Sequence, residues 1–212
     1  MSGHSERRRA KIFDAAFDLF ASHGYDHTTV DQIAAAAGIS HGDFAQIFAS
    51  KDALIIAVVE DLLQATASAL ARVPPETSPE EALLISTAEM LDAVIDDRGV
   101  MSRHRMLDMA HIVTTHPRLQ RQASALRKQL LSHALADRLG VTPNDRRVRH
   151  AVSLWSAIAA GSYAGRLGMP SNYDPRSDDR LRKRMLSRLA RTYARVTGEN
   201  PTKNWPSPGP AD

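Results

Sequence analysis

The chain has 212 residues, a formal net charge of +3, 43% hydrophobic residues and only 5% aromatics; this suffices for a core built mainly from Ala, Leu, Val, Ile and Met, and favours packed helices over a sandwich or barrel. It contains no cysteine, which excludes a disulfide scaffold, a thiolate metal site and a thiol nucleophile. No uninterrupted apolar run approaches the roughly 18 residues of a membrane span, and MSGHSERRRAK enters a helical pattern without a signal-peptide apolar region, so a cytoplasmic, nucleoid-associated protein that binds no membrane is expected.

Start and stop signals divide the chain into about nine helices, and nothing reads as a strand, so the fold is expected to be all-α. The first helix, 6–23, carries Ile12, Phe13, Ala16, Leu19 and Phe20 on one face, with Gly24 as its C′ residue. Thr29-Val30-Asp31-Gln32 fits a capping box for a helix ending near residue 37. Ser40-His41-Gly42-Asp43 repeats the device, and Ser50 opens a longer helix reaching about residue 70. After Pro74 and Pro75, Ser78-Pro79-Glu80-Glu81 combines an N-cap, Pro at N1 and Glu at N3. Further helices are expected near 100–115, 117–139, 143–167 and 178–197, punctuated by Pro117 and Thr142-Pro143. The tail 199–212, with Pro at 201, 206, 208 and 210, shows no apolar periodicity and is expected to be disordered. Charge is segregated: residues 52–97 hold 1 Lys/Arg against 10 Asp/Glu, and residues 98–203 hold 21 against 7.

Two short helices joined by a tight turn at Gly38 are the makings of a helix-turn-helix, whose second helix enters the DNA major groove. Val30, Ile33, Ala34, Ala37, Ile39, Phe44 and Phe48 hold the pair together, leaving Gly42, Ala45 and Gln46 for the groove. His41 and Gln46 are the candidates for reading base edges, Gln being suited to adenine N6 and N7. Phosphate contacts fall to Arg7, Arg8, Arg9 and Lys11, to Thr28 and Thr29 at a helix N-terminus, and to Lys51.

The residues Ile12, Ala15-Ala16, Leu19-Phe20, Gly24-Tyr25, Thr28-Thr29-Val30, Ile33-Ala34, Ala37-Gly38-Ile39-Ser40, Gly42, Phe44, Phe48, Ser50-Lys51 and Leu54 make an ungapped pattern. That pattern resembles the DNA-binding domain of the TetR family of bacterial transcriptional regulators. The resemblance implies a DNA-binding domain over 1–51 and a helical domain over 52–198 that binds a small-molecule effector and dimerises. This sequence has Asp43, Ala45 and Ile47 where the family usually has a small residue such as Thr, a Tyr, and a Tyr or His. The resemblance thus implies weaker binding through the recognition helix, unless Asp43 only closes the capping box with Ser40.

Small residues over 157–165, including Gly161, Ala164 and Gly165, allow close helix approach. With Leu186, Leu189 and Tyr193 of the last helix they are candidates for an intersubunit four-helix bundle, or for packing within one subunit. Leu91, Met101, Met106, Met109, Ile112, Val113, Leu154, Trp155 and Ile158 are candidate pocket residues, a pattern that plain core also produces. The segment His116-Pro117-Arg118-Leu119-Gln120-Arg121 looks like a family branch with acyl-CoA-like ligands. His104, Asp108 and His111 could share a helix face toward a cation, although a polar stripe explains them as well, and no metal or other cofactor is expected.

No phosphate-cradling Gly loop, GxSxG elbow or HExxH is present, so no enzyme is expected. The expected function is a homodimeric, ligand-responsive transcriptional regulator, a repressor released from a pseudo-palindromic DNA operator by a small apolar or acyl-CoA-like effector. The alternative is a regulator of the same fold with weak or lost DNA binding that acts through ligand or protein contacts.

Overall fold

The computed structural model describes residues 3–163 and 181–201, and these form nine helices and no strand. In chain order they are α1 (Gly3–His23), α2 (Val30–Ala37), α3 (His41–Ile47), α4 (Lys51–Leu70), α5 (Pro79–Ile95), α6 (Arg103–Thr115), α7 (Pro117–Leu139), α8 (Arg146–Tyr163) and α9 (Leu181–Thr197).

The helix ends follow local chemistry. Both capping boxes form: Thr29 Oγ1 accepts from Gln32 N at 3.2 Å while Thr29 N donates to Gln32 Oε1 at 2.8 Å, and Ser40 and Asp43 do the same for α3. Gly38 takes φ 67°, ψ 36°, and the Ile39 amide returns to Ala34 O at 3.0 Å, a Schellman closure that favours glycine at this position. Two starts differ from expectation. Helix α8 opens at Arg146, not 143, because Asp145 N bonds Thr142 O in a turn and Asp145 Oδ1 accepts from Arg147 N at 2.8 Å. Helix α6 opens at Arg103, after a left-handed Asp97 (φ 53°) has turned the chain. The expected extension of α8 beyond 163 and most of the tail, 202–212, lie outside the described residues.

Helices α1–α3 pack around Ile12, Ala16, Phe20, Ile33, Ala34, Phe44 and Phe48, with Val30, Ala37 and Ile39 partly buried against them. Each large apolar side chain so buried contributes about 1.5–3 kcal/mol. The remaining helices build around α4, which packs chiefly on α5 and α7; α8 covers α5 and α7, α9 covers α5 and α8, and α6 lies against α7 and reaches α1. By length and composition alone α4 would suit a membrane span, with a mean hydropathy of 1.6, although Glu60 and Asp61 interrupt its apolar run. Here it is the central helix, burying Leu54, Ile55, Val58, Val59, Leu62 and Leu63.

Candidate nucleic-acid interface and buried cavity

Helix α3 is too short to hold its shape alone. Its cap at Ser40 and the buried Phe44 and Phe48 fix it against α1 and α2, with Phe13 and Phe48 rings 5.4 Å apart. The face left in solvent carries His41, Gly42, Ala45 and Gln46. Asp43 accepts from Ser40 Oγ at 2.7 Å and lies 3.5 Å from Arg8 Nη1. The Ser40 hydrogen bonds, then the Arg8 charge, hold its carboxyl below the usual carboxylate range. The cap therefore holds Asp43 ionised, with the Arg8 guanidinium beside it. His41 Nδ1 lies 2.5 Å from Asp31 Oδ1, which ties the base-reading candidate at the start of α3 back to α2.

The phosphate candidates divide. Arg7, Lys11 and Thr29 are exposed. Thr28 is 2% exposed, and its hydroxyl donates to Gly24 O at 2.8 Å, so it is removed as a phosphate contact by its role in closing the end of α1. Arg9 Nη2 donates to both carboxylate oxygens of Asp61 at 2.9 Å, and the guanidinium lies 4.9 Å over Phe13; it fastens α1 to α4 instead of extending as an arm. Lys51 Nζ donates to Thr28 O at 2.9 Å and to Tyr25 O, and sits 4.1 Å over the Tyr25 ring. Burial pulls its pKa down from the ordinary lysine value, while Asp26 and Asp52 pull it up.

Around Tyr25 a junction forms that the sequence did not announce. Its hydroxyl donates to Asp52 Oδ1 at 2.6 Å, Asp52 Oδ2 pairs with Arg118 at 2.8 Å, and the His116 ring packs edge-on at 4.8 Å with Nε2 3.0 Å from Asp26 Oδ1. Burial, followed by the Asp52 bond, raises the Tyr25 pKa, keeping the phenol protonated. Arg105 of α6 pairs with Asp14 of α1 at 2.5 Å. The α6–α7 corner is thus bonded to the turn after α1 and to the start of α4.

Between α4 and α8 lies a cavity of about 100 Å³. Its wall comprises Val59, Leu62, Leu63 and Thr66 of α4; Thr87, Met90 and Leu91 of α5; Met106, Met109, Ala110, Val113 and Thr114 of α6; Ala123 and Arg127 of α7; and Trp155 of α8. Trp155 Nε1 donates to Thr87 Oγ1 at 2.8 Å, and Arg127 Cζ lies 5.5 Å over the indole. Of the candidate pocket residues, Met101, Ile112, Leu154 and Ile158 do not line it: Ile112 and Ile158 are buried in the core, and Met101 and Leu154 are half-buried. His104 and Asp108 are half-buried and His111 is exposed, and among the described residues no three His, Cys, Asp or Glu side chains converge on a metal site.

Residues 12–58 match the model of the bacterial regulatory proteins, tetR family. An HTH-type transcriptional repressor of Mycobacterium tuberculosis is 31% identical over 146 residues, covering 69% of this chain and 72% of the relative. The chain belongs to the TetR family. The HTH-type transcriptional regulator TcmR of Streptomyces glaucescens is 29% identical over 158 residues, 72% of this chain and 70% of the relative. The structure of SmeT, the repressor of a multidrug efflux pump of Stenotrophomonas maltophilia, superposes with a TM-score of 0.55 at 23% identity over 95% of this chain and 97% of its own. The protein is thus a TetR-family transcriptional regulator, not an enzyme.

For a TetR-family dimer face, three of the candidates are corrected. Leu186, Leu189 and Tyr193 are 0%, 2% and 3% exposed, buried where α9 packs against α5 and α8 of the same subunit, and no partner can reach them. Their 3–4 spacing marks the inward face of α9; the same periodicity signals either kind of burial. Gly161 lies in the last described turn of α8, and Ala164 and Gly165 lie outside the described residues.

Proposed function

We propose that this regulator is a homodimeric repressor that binds a pseudo-palindromic operator through α3 and is released when a small effector enters the cavity between α4 and α8. The observation that carries the reading is one continuous connection. The exposed α3 face is seated on α1 and α2, and these are bonded through Tyr25, Asp52, His116 and Arg118 to the corner between α6 and α7, two of the helices that enclose the cavity. An effector that repositions α6 or α7 acts directly on the orientation of α3. The repressor named in Mycobacterium tuberculosis and SmeT support the direction of control.

The reading divides the chain into a DNA-binding domain, 1–51, and an effector and dimerisation domain, 52–198, working in the cytoplasm at the nucleoid. Two subunits meet on the outer faces of α8 and α9, where Ser153, Ala157, Ser187, Ala190 and Ala194 are small and at least partly exposed. An acyl-CoA effector loses support: Arg118 is paired with Asp52, His116 lies 3.0 Å from Asp26, and Arg138 donates to Leu70 O and Val73 O at the end of α4, so these side chains hold the fold together. A second reading, weak DNA binding, draws on the exposed Ala45, which offers no hydrogen bond where the family usually has Tyr.

The test is fluorescence anisotropy of a labelled fragment from the DNA upstream of the protein's own gene against a scrambled fragment, across a salt series. The repressor reading expects preference for the genuine fragment and affinity falling steeply with salt. Equal, feeble binding to both fragments by a folded dimer would favour the second reading.

A further inference from the structure

We propose that Asp31 is a positioning residue for base reading: it grips His41 through Nδ1 and leaves Nε2, an N–H donor in the protonated ring, to meet the N7 and O6 edge of a guanine. The proposal rests on the reading of α3 as the operator-binding helix.

In a helix-turn-helix the residues at the start of the second helix contact base edges in the major groove. His41 is the first residue of α3 and Asp31 the second of α2, with side chains 64% and 79% exposed. Their Nδ1 and Oδ1 atoms lie 2.5 Å apart across the turn at Gly38. An ion pair this exposed contributes little to the fold. Its consequence is for orientation: a ring tethered at Nδ1 has already given up much of the rotational freedom that a free histidine would lose on meeting DNA.

The partner also sets the chemistry of the ring. An ionised carboxylate only accepts hydrogen bonds, so Nδ1 carries a proton whether the ring is charged or neutral. Nε2 is then the atom that varies, and among the described residues nothing is bonded to it. In the imidazolium it donates; in the neutral ring it accepts. Guanine presents two neighbouring acceptors to the major groove, N7 and O6, whereas cytosine presents the N4 amino donor. The protonated ring therefore favours guanine over cytosine, and loss of the proton sets one acceptor against two others. Charge acts in the same direction. With the ring protonated the pair is neutral overall, and with the proton lost it presents an uncompensated carboxylate to a polyanion. The other charged groups at the start of α3 are Asp43 on the same helix and Arg8 of α1, which pair with each other while Asp43 also accepts from Ser40.

The test starts from the operator that the full-length protein enriches from random fragments at about pH 6. Each guanine of the consensus is replaced by cytosine, and affinities are read by fluorescence anisotropy at about pH 6 and about pH 8.5, on either side of the range in which histidines change charge. The ratio of affinities for the two bases at one position cancels any titration elsewhere that acts on binding as a whole. The expected result is one position per half-site where guanine is preferred about fivefold at the lower pH, as one hydrogen bond supplies, and much less at the higher. His41→Ala should abolish that preference at both. Asp31→Asn, whose amide oxygen still accepts from the Nδ1 hydrogen, should retain it. Asp31→Ala should lose most of it without weakening DNA binding as a whole, because a negative charge leaves the surface; damage to the domain would instead weaken binding to every fragment. If an operator is enriched but no guanine preference depends on both pH and His41, the proposal falls and the operator reading stands. A preference that survives Asp31→Ala intact would overturn the positioning role. A folded dimer that enriches no sequence would remove the operator reading, and this inference with it.

Discussion

Replacing Lys51 with Met separates two roles that the sequence could not distinguish, a clamp within the DNA-binding domain and a contact to phosphate. Methionine keeps the aliphatic stem and removes the ammonium, which in the structure donates to the carbonyls of Tyr25 and Thr28 and lies 4.1 Å over the Tyr25 ring. Hydrogen bonds from charged donors are worth about 1.5–3 kcal/mol each, and a partly exposed cation–π contact about 0.5–1 kcal/mol. The desolvation that lowers the Lys51 pKa offsets part of this gain, so a net loss of about 2–4 kcal/mol is expected, or roughly 5–15 °C in Tm for a chain of this size. Circular dichroism melts of wild type and variant measure the loss. DNA titrations at several salt concentrations, below both melting temperatures, measure the charge contribution to binding, where losing one phosphate contact flattens the log–log slope by about 0.9. A Tm shift below about 1 °C with a slope flattened by one contact would refute the clamp and make Lys51 a phosphate ligand alone.

Gln46→Ala is expected to relax the preference at one base pair by about 1–3 kcal/mol while leaving the salt slope unchanged, as read from a panel of operators with single substitutions; uniform weakening across the panel would contradict that placement. Ala45→Tyr restores a phenol on the exposed face of α3 and, at about 1 kcal/mol for one hydrogen bond, should tighten operator binding roughly fivefold; unchanged affinity would mean that residue 45 does not face the backbone. Thr87→Val leaves the buried Trp155 N–H without its acceptor, a loss of about 1–3 kcal/mol in urea denaturation, and a change within a few tenths would show that water or another group takes the proton. The depressed pKa of Asp43 predicts a pH effect. Its contribution is fully present above the unfolded carboxylate value and is lost as pH falls through the lower folded value, so Asp43→Asn should flatten the acid limb of Tm against pH, and an unaltered limb would contradict the cap.

What the sequence disclosed was local. Thr29 with Gln32, Ser40 with Asp43, Gly38, Ser50 and Pro117 set helix ends by chemistry within a few residues, and the structure puts those ends where that chemistry places them. What it hid was long-range. Tyr25 and His116 meet across 90 residues of chain, and Arg9 finds Asp61, without any periodic signal to mark either pair. The same cause explains the cavity. Leu91, Met106, Met109, Val113 and Trp155 stood out as bulky residues on patterned helices, whereas Val59, Leu62 and Leu63 belong to α4, which is buried on so many sides that no stripe singles out its cavity face. Thr28 and Lys51 stood out as phosphate candidates beside helix N-termini; the burial of Thr28 and the bonds of Lys51 to the carbonyls of Tyr25 and Thr28 became visible only in three dimensions.

The central claim, a sequence-specific regulator that reads DNA through α3, is tested most directly by selecting random DNA fragments with the purified full-length protein and titrating the enriched sequence against salt. The account predicts a pseudo-palindromic consensus, with half-sites related by the dimer two-fold, whose affinity falls steeply as salt rises and whose base preference changes in Gln46→Ala. A folded, dimeric protein that enriches no sequence, or one whose consensus is indifferent to Gln46, would contradict it.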